Sequence, residues 1–356
     1  MSTIASASPF ADAREAKRPR LLARLKALDA AHHERCAPYA QMIDALHPDW
    51  READSLEALP WLPVGVFKRQ RLVSVEDSAI LRELRSSGTT GSMPSRVFLD
   101  RETAALQTRA LASIVADFIG RERRPMLVID QNDLLKSAAA LSARGAAVLG
   151  FANFGRQHLY ALKPDLSLDV DALRNFLARF EAQPLLLFGF TFMVWRDFLD
   201  AIERQGIDLK LPPGSVLIHG GGWKKLVERR VDNEAFKRRL SGTLGLEHVH
   251  NYYGMAEQVG SIFMECEHGR LHVPGYAEVI VRDPVTLAPC ALGETGVIQV
   301  LSELPGSYPG HSLLTEDLGA VLGEDDCPCG RHGRTLRVES RLPRAEVRGC
   351  SDTRPG

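Results

Sequence analysis

Leucines at positions 21, 22, 25 and 28 recur at helical spacing within Ala13 to Ala30, a stretch otherwise rich in charge. They predict an amphipathic helix, and residues 1–60 as a whole read as amphipathic helices. Pro60-Trp61-Leu62-Pro63 predicts a stiff, extended entry into Val64 to Leu72. Beyond it the pattern changes. Met126 to Asp130, Ala146 to Phe151, Leu185 to Phe190 and Ser215 to His219 are short apolar runs of buried-strand type. Helix-like stretches, Asp169 to Ala182 and Phe192 to Gln205, lie between them. That alternation predicts an α/β architecture in which helices cover a largely parallel sheet. From about Ser261 onward the period drops to two, in Ala277 to Val281, Gly296 to Ser302, Leu318 to Leu322 and Thr335 to Val338. This predicts a β-rich subdomain. Four segments result: a helical 1–84, an α/β core over 85–260, a β-rich 261–340 and a short tail, 341–356.

The chain of 356 residues is 45% hydrophobic, enough to bury a large core. Its 44 Lys and Arg nearly balance 45 Asp and Glu, so charge suggests neither a nucleic-acid partner nor a membrane surface. The longest apolar run, Pro184 to Trp195, is too short for a membrane span. The charged N-terminus lacks the apolar core of a secretory signal. Six cysteines in that setting point to metal binding or catalysis rather than to disulfides, and to a reducing cytoplasm.

Three glycine-containing turns carry candidate chemistry. Ser86-Ser87-Gly88-Thr89-Thr90-Gly91 combines hydroxyls and flexible backbone that can wrap phosphate oxygens, and lacks the Gly-Lys-Ser/Thr ending of the ATPase P-loop. His219-Gly220-Gly221-Gly222-Trp223 follows a strand run and leaves room for a flat ring against the backbone. In Asn251-Tyr252-Tyr253-Gly254-Met255-Ala256-Glu257, an aromatic ring can stack on adenine, Asn251 can address its edge, and Glu257 can hold Mg²⁺. Leu314 to Gly319 is expected to end a strand, with Asp317 placed to accept from ribose hydroxyls. Each of these alone also reads as an ordinary turn, and for the glycine run and the Asp317 segment that is the favoured reading. Cys327-Pro328-Cys329 with Cys266 and His272 offers four N/S ligands suited to tetrahedral Zn²⁺; His268 competes, and buried reduced thiols are the alternative. Cys36 and Cys290 read as small apolar residues.

Taken in this order, the elements resemble the adenylate-forming superfamily, which joins a carboxylate to AMP. The closer resemblance is to the LuxE-type acyl-protein synthetases of bacterial bioluminescence, with phenylacetate-CoA ligases as more distant relatives. It is carried by SSGTTGSMPSRVFLD, HGGGWKK, NYYGMAEQVGSIFMECEHG, LPGSYPGHSLLTEDLG, DDCPCGR and RLPRAEVRGCSDT, and runs from about Pro60 to the C-terminus. It implies the large-domain architecture of that superfamily. It also implies that Ser86 to Gly91 hold the pyrophosphate end of ATP and that Gly220 to Gly222, Asn251 and Tyr253 line the adenine. Glu257 would bind Mg²⁺, and Asp317, assisted by Arg341, would hold the ribose.

Two departures stand out. Ala256 occupies the place of the usual Ser or Thr before the glutamate, and Arg96 that of the usual lysine after the phosphate loop. The sequence also ends at Gly356, as LuxE-type proteins do, so the mobile C-terminal lid with its catalytic lysine is expected to be absent.

The resemblance further implies that Cys350 receives the acyl group as a thioester; a surface thiol near the terminus is the plain alternative. A thiol of pKa about 8.5 gives a few per cent thiolate at neutral pH. Arg348 and Gly349 beside it would favour thiolate and freedom of movement. The expected activity is ATP-dependent formation of an acyl-AMP from a carboxylic acid, a fatty acid by the resemblance, followed by transfer to Cys350 and on to a reductase or other partner. Phe188, Phe190, Phe192 and Trp195 are candidates for an acyl tunnel and equally for core. Transfer to a carrier protein or CoA, and a non-catalytic nucleotide-binding module, are the rival readings.

Overall fold

The computed structural model describes residues 8–86, 93–132, 143–223 and 228–342. Two helices, α1 (Arg14–Arg35) and α2 (Ala37–Leu46), open the chain. Strand β1 (Leu62–Pro63) leads into a 3-10 turn, Val64–Lys68. A hairpin of β2 (Ile80–Arg85) and β3 (Arg96–Asp100) follows, then α3 (Arg101–Ile119). Strands β4 (Arg124–Gln131), β5 (Gly155–Leu162), β6 (Leu186–Phe190), β7 (Val216–Gly220) and β8 (His248–Tyr253) are linked by helices. Those helices are α4 (Ala143–Ala152), α5 (Val170–Arg179), α6 (Thr191–Met193) continuing through a wide π turn at Val194–Leu199 into α7 (Asp200–Arg204), and α8 (Asn233–Leu244). Six strands close the chain: β9 (Phe263–Glu265), β10 (Leu271–His272), β11 (Ala277–Arg282), β12 (Gly296–Ser302), β13 (Ser312–Glu324) and β14 (Arg334–Arg341).

Strands β5-β4-β6-β7-β8 are parallel neighbours, and β9, β10, β14, β13, β12 and β11 extend the same hydrogen-bonded sheet antiparallel. The parallel part buries both faces, and successive residues divide between them. Met126, Val128, Leu186, Phe188 and Ile218 face one core with α2, α3 and α4. Leu127, Ile129, Leu187 and Leu217 face the other, under α5, the α6–α7 stretch and α8. This is why those strands read as unbroken apolar runs. The predicted stripe on α1 packs as expected, with Leu21, Leu25 and Leu28 against Ile280 of β11 and Leu301 of β12, and Leu22 half-buried beside them.

Two expectations fail. Ala146 to Phe151 lies in helix α4, not in a strand. A short apolar run does not distinguish the two states, and its alanines and leucine favour helix. The strand comes next, from Gly155, buried at its two ends and partly exposed in between. The second failure is that the Leu314 to Gly319 run does not end a strand. Asp317 sits in the middle of the thirteen-residue β13, where the pairing with β14 slips between Leu318 and Gly319.

Helix α1 also buries a charge. Lys17 Nζ lies 3.3 Å from a Glu278 carboxylate oxygen, both side chains fully buried, with Arg334 3.9 Å from the other oxygen. Arg334 in turn contacts Glu57 and Glu324. Lys17→Met should lower stability by about 3 kcal/mol, because it leaves the buried Glu278 charge with the more distant Arg334 as its ion-pair partner among the described residues. The double variant Lys17→Met/Glu278→Gln should recover most of that loss. Urea midpoints check both; a single substitution within ~0.5 kcal/mol of wild type, the range of surface changes, would refute the account.

Candidate nucleotide-binding site

Three groups of elements converge at the carboxyl ends of the parallel strands. Strands β7 and β8 run side by side, pairing His219 with Asn251 and Gly220 with Tyr252. A side chain at Gly220 would meet the Tyr252 ring within 2.4 Å, and Gly221 adopts φ +74°, so the glycine run satisfies two separate demands. Gly222 faces open space. His219 is fully buried; its Nδ1 lies 2.9 Å from the Thr191 hydroxyl, and burial pushes the ring down to about 3, so it stays neutral. Tyr252 points into the core against Phe151. Tyr253 pairs with Phe263 of β9, their rings 6.0 Å apart.

The Tyr253 hydroxyl donates to Asp317 Oδ2 at 2.7 Å, and Arg341 Nε donates to Asp317 Oδ1 at 3.2 Å. β13 and β14 place Asp317 directly opposite Arg341. The β13–β14 slip sets this geometry, and the Thr315 hydroxyl, donating to Ile298 O at 2.7 Å, accepts from the Asp317 amide at 3.1 Å. Burial, with the Asp317 charge beside it, raises the Tyr253 hydroxyl well above its ordinary pKa. It therefore remains a donor at any working pH. A half-buried carboxylate with two donors on it can exchange them for a vicinal diol.

Glu257 is buried in a single 3-10 turn, Ala256–Gln258, and among the described residues no cation contacts its carboxylate. Burial raises its pKa from the usual carboxylate value; the Ser95 hydroxyl and the charges of Lys68 and Arg341 pull the other way. The turn is tied down through its backbone and neighbour. Tyr308 Oη donates to Glu257 O at 2.9 Å, and Gln258 Nε2 donates to Val300 O and Gly310 O at 3.1 and 2.8 Å. Gly310 permits this approach, since a Cβ there would lie 2.8 Å from Glu257 O. The N-terminal helices brace the same segment: His32 Nε2 lies 3.1 Å from Pro305 O, and His311 Nε2 2.6 Å from Asp29.

The hairpin β2–β3 brings in the third group. Ser95 N donates to Ser86 Oγ at 2.8 Å and Ser86 N to Ser95 O at 3.0 Å, which closes a rung at the base of the candidate phosphate loop. Ser87, Gly88, Thr89, Thr90 and Gly91 lie outside the described residues, as does Cys350. Arg96 is engaged elsewhere than on a ligand: it makes a two-pronged pair with Glu83, at 2.9 and 3.1 Å, and lies over Phe98. It would reach a phosphate only by leaving Glu83.

The structure thus brings together Tyr253, Asp317 and Arg341 in direct contact, with Glu257 within reach of the Arg341 field and Ser86 on the adjoining hairpin. It adds Lys68, whose Nζ is 3.8 Å from Glu316, and Ser95. Neither carried a sequence signal, because a lone lysine or serine near a turn belongs to no motif. Of the tunnel candidates, Phe188 is core, in contact with Phe151, and Trp195 packs on Phe236; Phe190 and Phe192 are only half-buried. On the expectation that Asp317 takes the ribose diol, Asp317→Asn should reduce kcat/KM for ATP about ten- to hundredfold, mostly through KM, since a charge-assisted bond becomes neutral. Steady-state kinetics with ATP varied checks this; an unchanged KM refutes it.

Elsewhere, Cys266, His272, Cys327 and Cys329 place one ligand atom each within 4.8 Å of one another. No helix among the described residues is long and apolar enough to cross a membrane.

The chain matches the model of a family described as acyl-protein synthetase, LuxE, over residues 2–354. It is similar to the long-chain-fatty-acid–luciferin-component ligase of Vibrio harveyi, 23% identical over 305 residues, spanning 84% of this chain and 78% of that protein. The protein of the same name from Aliivibrio fischeri is 24% identical over 313 residues, 83% of this chain and 78% of its own. Among solved structures, 2-hydroxyisobutyryl-CoA ligase with 2-HIB-AMP and CoA, in an open conformation, superposes with a TM-score of 0.70 at 16% identity, covering 94% of this chain and 76% of its own. The same ligase in the thioesterification state gives 0.69 at 18% identity, covering 94% and 70%. At such identities the likeness establishes the fold, that of adenylate-forming ligases.

Proposed function

The chain belongs to the acyl-protein synthetase family LuxE, and from that premise we propose that it activates a long-chain fatty acid with ATP and passes the acyl group to its own Cys350. The observation that supports this best is the convergence of Asp317, Tyr253 and Arg341 beside the buried Glu257, at the strand ends where α/β sheets take ligands.

In this reading the adenine lies against Gly220 to Gly222 and Tyr253, with Asn251 at its edge. The ribose hydroxyls replace Tyr253 and Arg341 as donors to Asp317. The loop from Ser86 to Gly91 surrounds the outer phosphates, and Arg96 or Lys68 adds positive charge. The donor set at Glu257, a buried carboxylate with no ion pair among the described residues, suits a hard cation, and bound Mg²⁺ would supply neutralisation of phosphate charge. The fatty-acid carboxylate attacks the α-phosphorus, and the bond to the pyrophosphate oxygen breaks, giving acyl-AMP. The Cys350 thiolate then attacks the acyl carbonyl, AMP leaves with the electron pair, and a thioester remains. In-line positioning and charge stabilisation carry the first step, since no covalent bond to the protein forms in it. The thioester's consumer would be a reductase or another acyl-accepting partner in the cytoplasm. Half-buried Phe190 and Phe192, at the end of β6, are proposed to meet the acyl chain.

The test is ATP–pyrophosphate exchange with Mg²⁺ and saturated fatty acids of graded length, beside short and aromatic acids. Exchange that depends on a long-chain acid is expected. Its absence across the whole panel would leave only nucleotide binding and sink the proposal.

A further inference from the structure

We infer that Cys266, His272, Cys327 and Cys329 bind one Zn²⁺ in a closed site that staples the two hairpins carrying Glu257's neighbours and Asp317. The four ligand atoms lie within 4.8 Å of one another, with Cys266 Sγ 3.7 Å from Cys327 Sγ and Cys329 Sγ 3.3 Å from His272 Nε2. Two ligands sit on each side of the staple. Cys266 and His272 flank the β9–β10 turn, and β9 pairs with β8, the strand that ends in Tyr253. Cys327 and Cys329 lie in the connection between β13 and β14, which bear Asp317 and Arg341. β10 pairs with β14, so the ligands meet where two antiparallel hairpins join.

Several details favour a metal over reduced thiols. Backbone amides of Arg270 and His268 hydrogen-bond the Cys266 sulfur, and the Cys329 amide reaches the Cys327 sulfur, the outer contacts that orient sulfur ligands around a metal. Three thiolates and a neutral imidazole on Zn²⁺ carry one net negative charge. Arg331 stands beside Cys329 to offset it, while also bonding Asp117 at 2.8 Å and lying 3.7 Å from Glu267. Cys266 and His272 are fully buried, Phe10 covers the His272 ring edge-on at 5.9 Å, and only Cys329 reaches solvent. Four protein ligands leave no position open for water, as in structural rather than catalytic zinc sites. The donor set of three sulfurs and one nitrogen selects Zn²⁺ over Mg²⁺ or Ca²⁺. A Cys266–Cys327 disulfide would need its sulfurs to close to about 2 Å and would leave Cys329 and His272 facing each other with nothing to bind. Binding breaks three S–H bonds and forms three S–Zn bonds, with the protons released to solvent.

The inference stands apart from the adenylation reading and is tested without turnover. Full-length protein purified without added metal or chelator is analysed by elemental mass spectrometry, and its zinc is then exchanged for Co²⁺. One zinc per chain is expected, with intense visible bands and sulfur-to-cobalt charge transfer marking a tetrahedral thiolate site. Cys327→Ser should lose the metal, whereas Cys290→Ser, in the connection between β11 and β12 and outside the cluster, should keep it. If Cys327→Ser fails to fold, the wild-type cobalt spectrum still decides the matter. Substoichiometric zinc with all cysteines alkylated as free thiols would overturn the inference. So would a mass two hydrogens short under non-reducing conditions, or an octahedral, pale cobalt spectrum.

Discussion

Cys350→Ser should abolish covalent labelling of the protein by radiolabelled fatty acid while leaving acid-dependent pyrophosphate exchange within about twofold of wild type. The two readouts separate because they report different bonds. Exchange measures acyl-AMP formation, which needs the nucleotide, the acid and, in the proposed reading, the groups around Asp317 and Glu257. Labelling measures capture of the acyl group by sulfur. A serine hydroxyl is nearly isosteric, but without a neighbouring base its pKa leaves essentially no alkoxide at neutral pH, whereas a thiol of pKa about 8.5 is a few per cent thiolate. Hydroxylamine-labile labelling that survives the substitution would move the acceptor to another nucleophile. Loss of exchange along with labelling would place Cys350 in the adenylation site instead.

How much of this was readable in the chain depends on which interactions decided each element. The two-sided burial of β4, β6 and β7 printed itself as apolar runs, so those strands were legible within a residue or two. Ala146 to Phe151 was not, because an apolar hexamer fits a buried helix equally well, and here it forms α4, packed on β5, β6 and β2. Its motif singled out Asp317 as a candidate carboxylate, but its place in the middle of β13 was not legible. A β-bulge leaves no period in the sequence, yet it turns Asp317 toward both Tyr253 and Arg341. Lys68 reached the site through the parallel pairing of β1 with β13, a contact of long sequence separation. The Cys/His cluster was the reverse case. Its ligands are 61 residues apart between Cys266 and Cys327, but ligand chemistry is so restricted that residue type alone nominated them.

Glu257→Gln should lower kcat for acyl-AMP formation by about 10³ and yet leave the fold as stable as wild type, or more so. The activity loss follows from the donor set: an amide oxygen cannot match a carboxylate for a hard cation, and each tenfold in rate corresponds to about 1.4 kcal/mol of lost transition-state stabilisation. The stability claim follows from sign. Burial raises the Glu257 carboxyl above the unfolded value near 4.5, so the native state holds its proton to higher pH than the unfolded chain does. Stability contributed by this group is therefore present below that value and is lost as pH rises through the folded pKa. At neutral pH the wild type keeps a desolvated charge that the glutamine lacks. A urea titration at pH 7 should accordingly give the variant an equal or higher midpoint, and the difference should shrink as pH falls through the folded value toward 4.5. The acid limb of wild-type activity should likewise be shifted upward at limiting Mg²⁺ and move down as Mg²⁺ is raised, because the cation favours the ionised form. An enzyme that loses stability and activity together on Glu257→Gln would show instead that the carboxylate holds the turn between Gly254 and Gly260, rather than the charge of a substrate complex.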